Sequence, residues 1–61
     1  MRRGKKFLTV ADIAAELELS PPTVRLLLTT YEVPIMKLNH GWRVRREDAL
    51  VFVAQVLSHG V

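Results

Sequence analysis

Two consecutive prolines, Pro21 and Pro22, fix where a helix in the first half of this chain can begin. Proline has no backbone N–H and breaks a helix interior, but in the first turn those N–H groups lack an intrahelical acceptor anyway, so their loss costs little. With Ser20 ahead of them as N-cap, the prolines predict an abrupt helix start and a helical stretch over Ser20–Thr30. Val24, Leu27, Leu28 and Tyr31 recur at i, i+3, i+4 and i+7 and form one buried stripe. Thr23, Arg25, Leu26, Thr29 and Thr30 point elsewhere, so the helix has a second face whose purpose must be found.

The flanking sequence predicts the partners of that helix. Thr9–Leu17 reads as a helix with capping-box spacing between Thr9 and Asp12 and an apolar stripe of Val10, Ile13, Ala14 and Leu17. Glu18-Leu19-Ser20 then connects the helices in three residues, as in a helix-turn-helix, with Leu19 plugging the gap between them. Pro34 disfavours helical geometry at Val33 and ends the second helix. Beyond it the period changes to two: Ile35–Leu38 and Trp42–Arg45 are short strands joined through Asn39-His40-Gly41, with Gly41 supplying a positive φ. Trp42 and Val44 face the helices in this reading, and Arg43 and Arg45 face solvent.

Glu47–Ser58 is the last helix, with acidic residues in its first turn and Gly60 just past its end. It carries two apolar stripes. Ala49, Phe52, Val53 and Val56 form one, and Leu50, Ala54 and Leu57 form another displaced by roughly 100°. Either the two merge into one broad core face, or the second meets another protein chain. The predicted fold class is therefore mainly α with a small β-hairpin, in the order helix, helix, two-stranded wing, helix. Residues 7–61 form this single domain, and residues 1–6 form a flexible basic arm that either tracks DNA or simply frays.

At 61 residues the chain has room for one small core. It contains no cysteine, which removes disulfides and thiolate metal sites and fits a reducing compartment. No apolar run approaches the roughly 18 residues that span a bilayer. A soluble, cytoplasmic protein without membrane association is expected.

Charge is the strongest pointer to a partner. Seven of the nine Lys and Arg residues fall in two clusters: Arg2, Arg3, Lys5 and Lys6, then Arg43, Arg45 and Arg46, with Lys37 near the second. A polyanion, double-stranded DNA first, is the expected partner; a merely solvated basic surface is the alternative. Catalysis is not expected, because His40 and His59 stand alone, the glycines are scattered, and no metal-ligand spacing occurs. No cofactor is called for.

For DNA, residues near the start of the second helix are placed to meet base edges and phosphates. Thr23 and Arg25 are the leading contacts, Ser20 and Pro22 frame the helix start, and Thr29 and Leu26 can reach thymine methyls or sugars, with Leu26 equally suited to helix packing. Arg43 and Arg45, with Lys37 across the hairpin and His40 at its tip, are the second set of contacts. Trp42 is assigned to the core rather than to stacking.

Leu8 to Leu17, Leu19-Ser20-Pro21 with Thr23-Val24-Arg25, Glu32-Val33-Pro34, Gly41-Trp42-Arg43-Val44 and Arg46-Glu47-Asp48, in this order and spacing, resemble the small excisionase-like, MerR-related winged helix-turn-helix domains over residues 7–57. The resemblance implies a recognition helix in the major groove and a wing on the adjacent minor groove, without enzymatic activity. By position, Thr23 and Arg25 look like recognition-helix contacts and Arg43 like the wing contact. A free-standing domain of this kind looks like a phage excisionase, or recombination directionality factor. Such proteins bind attachment-site DNA as neighbouring copies in the bacterial cytoplasm, bend it, and favour excision by a cognate integrase; a stand-alone MerR-like transcriptional regulator is the alternative. A protein-interaction module that works through the apolar last helix is the third reading. The chain departs from the family pattern at Pro22, Leu26 and Thr29, where basic or polar groups are common, and at Glu18 and Tyr31, where glycine is frequent. These departures imply affinity dominated by phosphate contact and shape, with modest base discrimination.

Overall fold

Thr9 ends one element and opens the next. In a computed structural model, which describes residues 6–59, Phe7–Thr9 forms strand β1 and Val10–Leu17 forms helix α1. The capping box is made in full: the Asp12 N–H donates to the Thr9 hydroxyl at 3.0 Å, and the Thr9 N–H donates to the Asp12 carboxylate at 3.1 Å. At the far end Glu18 takes left-handed geometry (φ 57°), and the Leu19 N–H donates to the Ala14 carbonyl at 3.0 Å, a Schellman-type closure. The chain turns at once into helix α2, Pro21–Thr30.

Helix α2 begins as its prolines require, with both in the first turn. Ser20 holds the N-cap backbone position, and its carbonyl accepts from the Val24 N–H at 3.1 Å, but its hydroxyl caps no N–H. Pro22 has removed one of the donors a cap would serve, and the Ser20 and Thr23 hydroxyls instead share a hydrogen bond of 2.9 Å. The helix ends through Glu32 (φ 56°), where the Val33 N–H reaches the Leu28 carbonyl at 3.0 Å. The positive φ thus falls one residue after Tyr31. Tyr31 itself sets its ring edge-on to Phe52, with centroids 5.7 Å apart.

Strands β2 (Met36–Leu38) and β3 (Gly41–Arg45) form the expected hairpin, with Gly41 at φ +123°. The sheet, however, has three antiparallel strands rather than two, in the order β1-β3-β2. Leu8 lies opposite Val44, and Lys37 lies opposite Trp42. Helix α3, Arg46–Ser58, follows β3 without a break, and the Arg46 N–H donates to the Lys6 carbonyl at 2.9 Å, tying the start of the described chain to the helix start. Gly60 lies outside the described residues.

Every helix feeds one core: Val10, Ile13 and Ala14 from α1, Val24 and Leu28 from α2, and Ala49, Phe52, Val53 and Val56 from α3, closed by Leu8 and Val44 of the sheet. Leu17, Leu19, Leu27, Tyr31 and Trp42 pack around it partly buried, as their spacing predicts. The two stripes of α3 do not merge. Leu50, Ala54 and Leu57 are exposed, and Val51, which the pattern reading leaves aside, is exposed with them. The described residues form a small α+β domain of three helices and a three-stranded antiparallel sheet. No helix among the described residues is long and apolar enough to cross a membrane.

Candidate nucleic-acid interface

The exposed face of α2 presents Pro22, Thr23, Arg25, Leu26, Thr29 and Thr30. Leu26 is 66% exposed and lies outside the buried core of the described residues. The Thr29 and Thr30 hydroxyls donate back to the Arg25 and Leu26 carbonyls at 3.0 and 2.9 Å. Their protons are used within the helix, so the threonine methyls and oxygen lone pairs are what this face offers outward. Arg25 is the single cation on the helix.

A crevice of about 340 Å³ lies between the start of α2 and the β2–β3 hairpin. Arg25, His40 and Arg43 line it together, along with Thr9 and Ala11 at the start of α1, Pro21 and Trp42. Three residues read separately from the sequence, on a helix, a turn and a strand, thus meet at one place. The Arg43 guanidinium donates to the Trp42 carbonyl at 3.1 Å, which holds the half-buried side chain against its own strand. Sequence reasoning placed Trp42 in the core and missed its edge in the crevice; both hold, because the ring is only partly buried.

The remaining basic residues are distributed differently from the sequence expectation. Lys37 shares a sheet face with Trp42, and its ammonium stands 5.2 Å from the ring centroid, a cation–π contact. It therefore lies on the opposite face from Arg43 and Arg45. Alternation along β3 puts Arg43 and Arg45 on the same outer sheet face, but only Arg43, nearer the hairpin turn, borders the crevice; Arg45, at the far end of the strand, pairs with Glu47 at 3.4 Å. Arg46 opens α3 and is exposed. Lys6 is exposed, and Arg2, Arg3 and Lys5 lie outside the described residues.

Leu50 and Leu57 are 49% and 64% exposed and sit with Ala54 on a face of α3 that no described residue buries. Among the described residues, no three or more His, Cys, Asp or Glu come together as a metal site would require, and no buried side-chain polar atom lacks a hydrogen-bond partner. The charged groups work at the surface. Comparison with models of known protein families found no match for the chain, and comparison with curated protein sequences found none either.

Proposed function

We propose that this chain is a winged helix-turn-helix protein that binds double-stranded DNA, of the architectural, excisionase type. The observation that carries the proposal is the meeting of Arg25, His40 and Arg43 in one crevice. A duplex backbone is a ridge of phosphates between two grooves, and a crevice lined with cations between an exposed helix and a hairpin is shaped to straddle it. In this reading α2 enters the major groove, the hairpin tip with His40 follows the adjacent minor groove, and Arg25 and Arg43 neutralise phosphates on the ridge between them. Ser20 and Thr23 offer a hydroxyl pair at the helix start. Thr29 and Leu26 contribute apolar contact to thymine methyls or sugars. The basic segment Arg2, Arg3, Lys5 and Lys6 adds phosphate affinity.

With one arginine on the recognition helix, base readout is modest, and the site is chosen by shape and by assembly. Neighbouring copies meet through Leu50, Ala54 and Leu57, and the bent DNA they create serves a cognate integrase. The protein carries out no bond chemistry of its own. Footprinting and a circular-permutation bending assay on DNA around its own gene test this reading. Extended, cooperative protection with strong bending is expected. One discrete palindromic footprint at a promoter with little bending would identify a stand-alone transcriptional regulator, and negligible DNA affinity at low salt would refute DNA binding and leave a protein-interaction module.

A further inference from the structure

The outer face of the sheet carries large apolar side chains beside its arginines, where a solvated face should be polar throughout. An antiparallel sheet with one face on the core normally alternates apolar-in and polar-out. Here Phe7, Met36 and Leu38 all lie on the outer face, 40%, 42% and 47% exposed. Phe7, Pro34, Ile35 and Met36 line a groove of about 240 Å³ together with Arg43 and Arg45. The groove runs from β1 across β3 to the chain leading into β2, and no element among the described residues covers it.

We propose that this groove docks an acidic segment of a partner protein, which seats one bulky apolar side chain between Phe7 and Met36 and places carboxylates on Arg43 and Arg45. Charge complementarity selects that occupant. Two guanidiniums beside an apolar floor match a peptide that alternates an apolar anchor with carboxylates, since arginine binds carboxylate in a fork of paired hydrogen bonds. The size agrees: the groove is smaller than the roughly 300–1,000 Å³ of typical small-molecule sites and suits a single side chain. Arg45 pairs with Glu47 in an exposed contact, with side-chain exposures of 63% and 69%, so an incoming carboxylate can replace that partner. A nucleic acid fits less well. Proline, isoleucine and methionine provide no flat surface for stacked bases.

The proposal does not rest on DNA binding, and because Arg43 borders both the groove and the crevice, its test uses Met36 and Arg45, which border the groove and not the crevice. The probe is a labelled eight-residue peptide with a central phenylalanine flanked by aspartates, titrated into the full chain by fluorescence anisotropy and amide chemical-shift mapping. Saturable binding is expected, with shifts concentrated at Phe7, Ile35, Met36 and Arg45. Replacing the peptide's phenylalanine by serine, or its aspartates by asparagines, is expected to weaken binding about tenfold or more, the equivalent of about 1.4 kcal/mol. Met36→Ser and Arg45→Gln are expected to weaken it similarly, while Met36→Ser retains the wild-type circular dichroism and duplex affinity. No saturable binding at millimolar peptide, a shift map centred on α3, or equal binding by oligothymidylate at these same residues would overturn the proposal. The last of these would identify a polyanion surface instead.

Discussion

If the crevice straddles a DNA backbone, its arginines differ from Arg45 in a way that salt can measure. Each phosphate neutralised by a side chain releases condensed counterion, so log K falls with log salt at a slope of about −0.9 per contact. Arg25 and Arg43 line the crevice, whereas Arg45, two residues further along the same sheet face, does not border it and pairs with Glu47. Arg25→Ala and Arg43→Ala should each flatten the slope by about 0.9, and the double variant by about 1.8. Between 50 and 200 mM salt, the wild-type chain should then lose about 3.5-fold more affinity than either single variant and about 12-fold more than the double. Arg45→Ala should leave the slope near its wild-type value. Trp42 is the single tryptophan and borders the crevice, so its fluorescence can follow a duplex titration directly. An unchanged slope for the double variant, or a larger change for Arg45→Ala than for Arg43→Ala, would refute the assignment of the crevice to the backbone.

Three further outcomes follow from the fold. Thr9→Val keeps the β-branched strand residue but removes the cap oxygen, and should cost about 1 kcal/mol, a fall in Tm of roughly 4–8 °C by thermal circular dichroism. Glu18→Gly should raise Tm by a few degrees, because it relieves left-handed strain of roughly 1–2 kcal/mol at φ 57° against a smaller entropic cost, and removes a negative charge at the C-terminal end of a helix; a lower Tm would show that Glu18 contributes more than strain. Leu50→Ser with Leu57→Ser should leave stability within about 0.5 kcal/mol while abolishing cooperative footprints; retained cooperativity would remove α3 from the assembly.

The parts of the fold that were legible in sequence are those with local signals. The first-turn prolines, the Thr9/Asp12 capping box and the 3.6-residue stripes of α1, α2 and α3 are each encoded within a few residues, and each appears in the structure. Strand β1 has no such signal. It is three residues long, too short for a period, and it exists because Leu8 pairs with Val44, distant in the chain. The hydroxyl of Ser20 was misplaced for a related reason: cap preference is a statistic over helices whose second residue has an N–H, and Pro22 has none. The convergence of Arg25, His40 and Arg43 is tertiary, so the sequence could name the residues but not their meeting. The separate fates of Lys37 and Arg45 depend on register, which short strands encode weakly.

Under the proposed function, the arrangement of these surfaces lets so small a domain act on DNA through several copies. A chain of 61 residues has a total stability of roughly 3–9 kcal/mol, and its described core is already committed to holding three helices on a sheet. On the proposed recognition face, α2 offers one cation and a set of threonines. Two or three phosphate contacts by themselves give weak, salt-sensitive binding, in the range of roughly 10⁻⁴–10⁻⁶ M typical of non-specific association. Joining neighbours through a second, independent surface converts each later binding event into an intramolecular one and can raise avidity by about 10²–10⁴ without a new DNA contact. The exposed Leu50, Val51, Ala54 and Leu57 lie on α3, an element that contributes nothing to the crevice, so self-association through them leaves Arg25 and Arg43 free for the backbone. Under the proposed function, affinity is therefore a property of the row of copies, and the single domain supplies the geometry that each copy repeats.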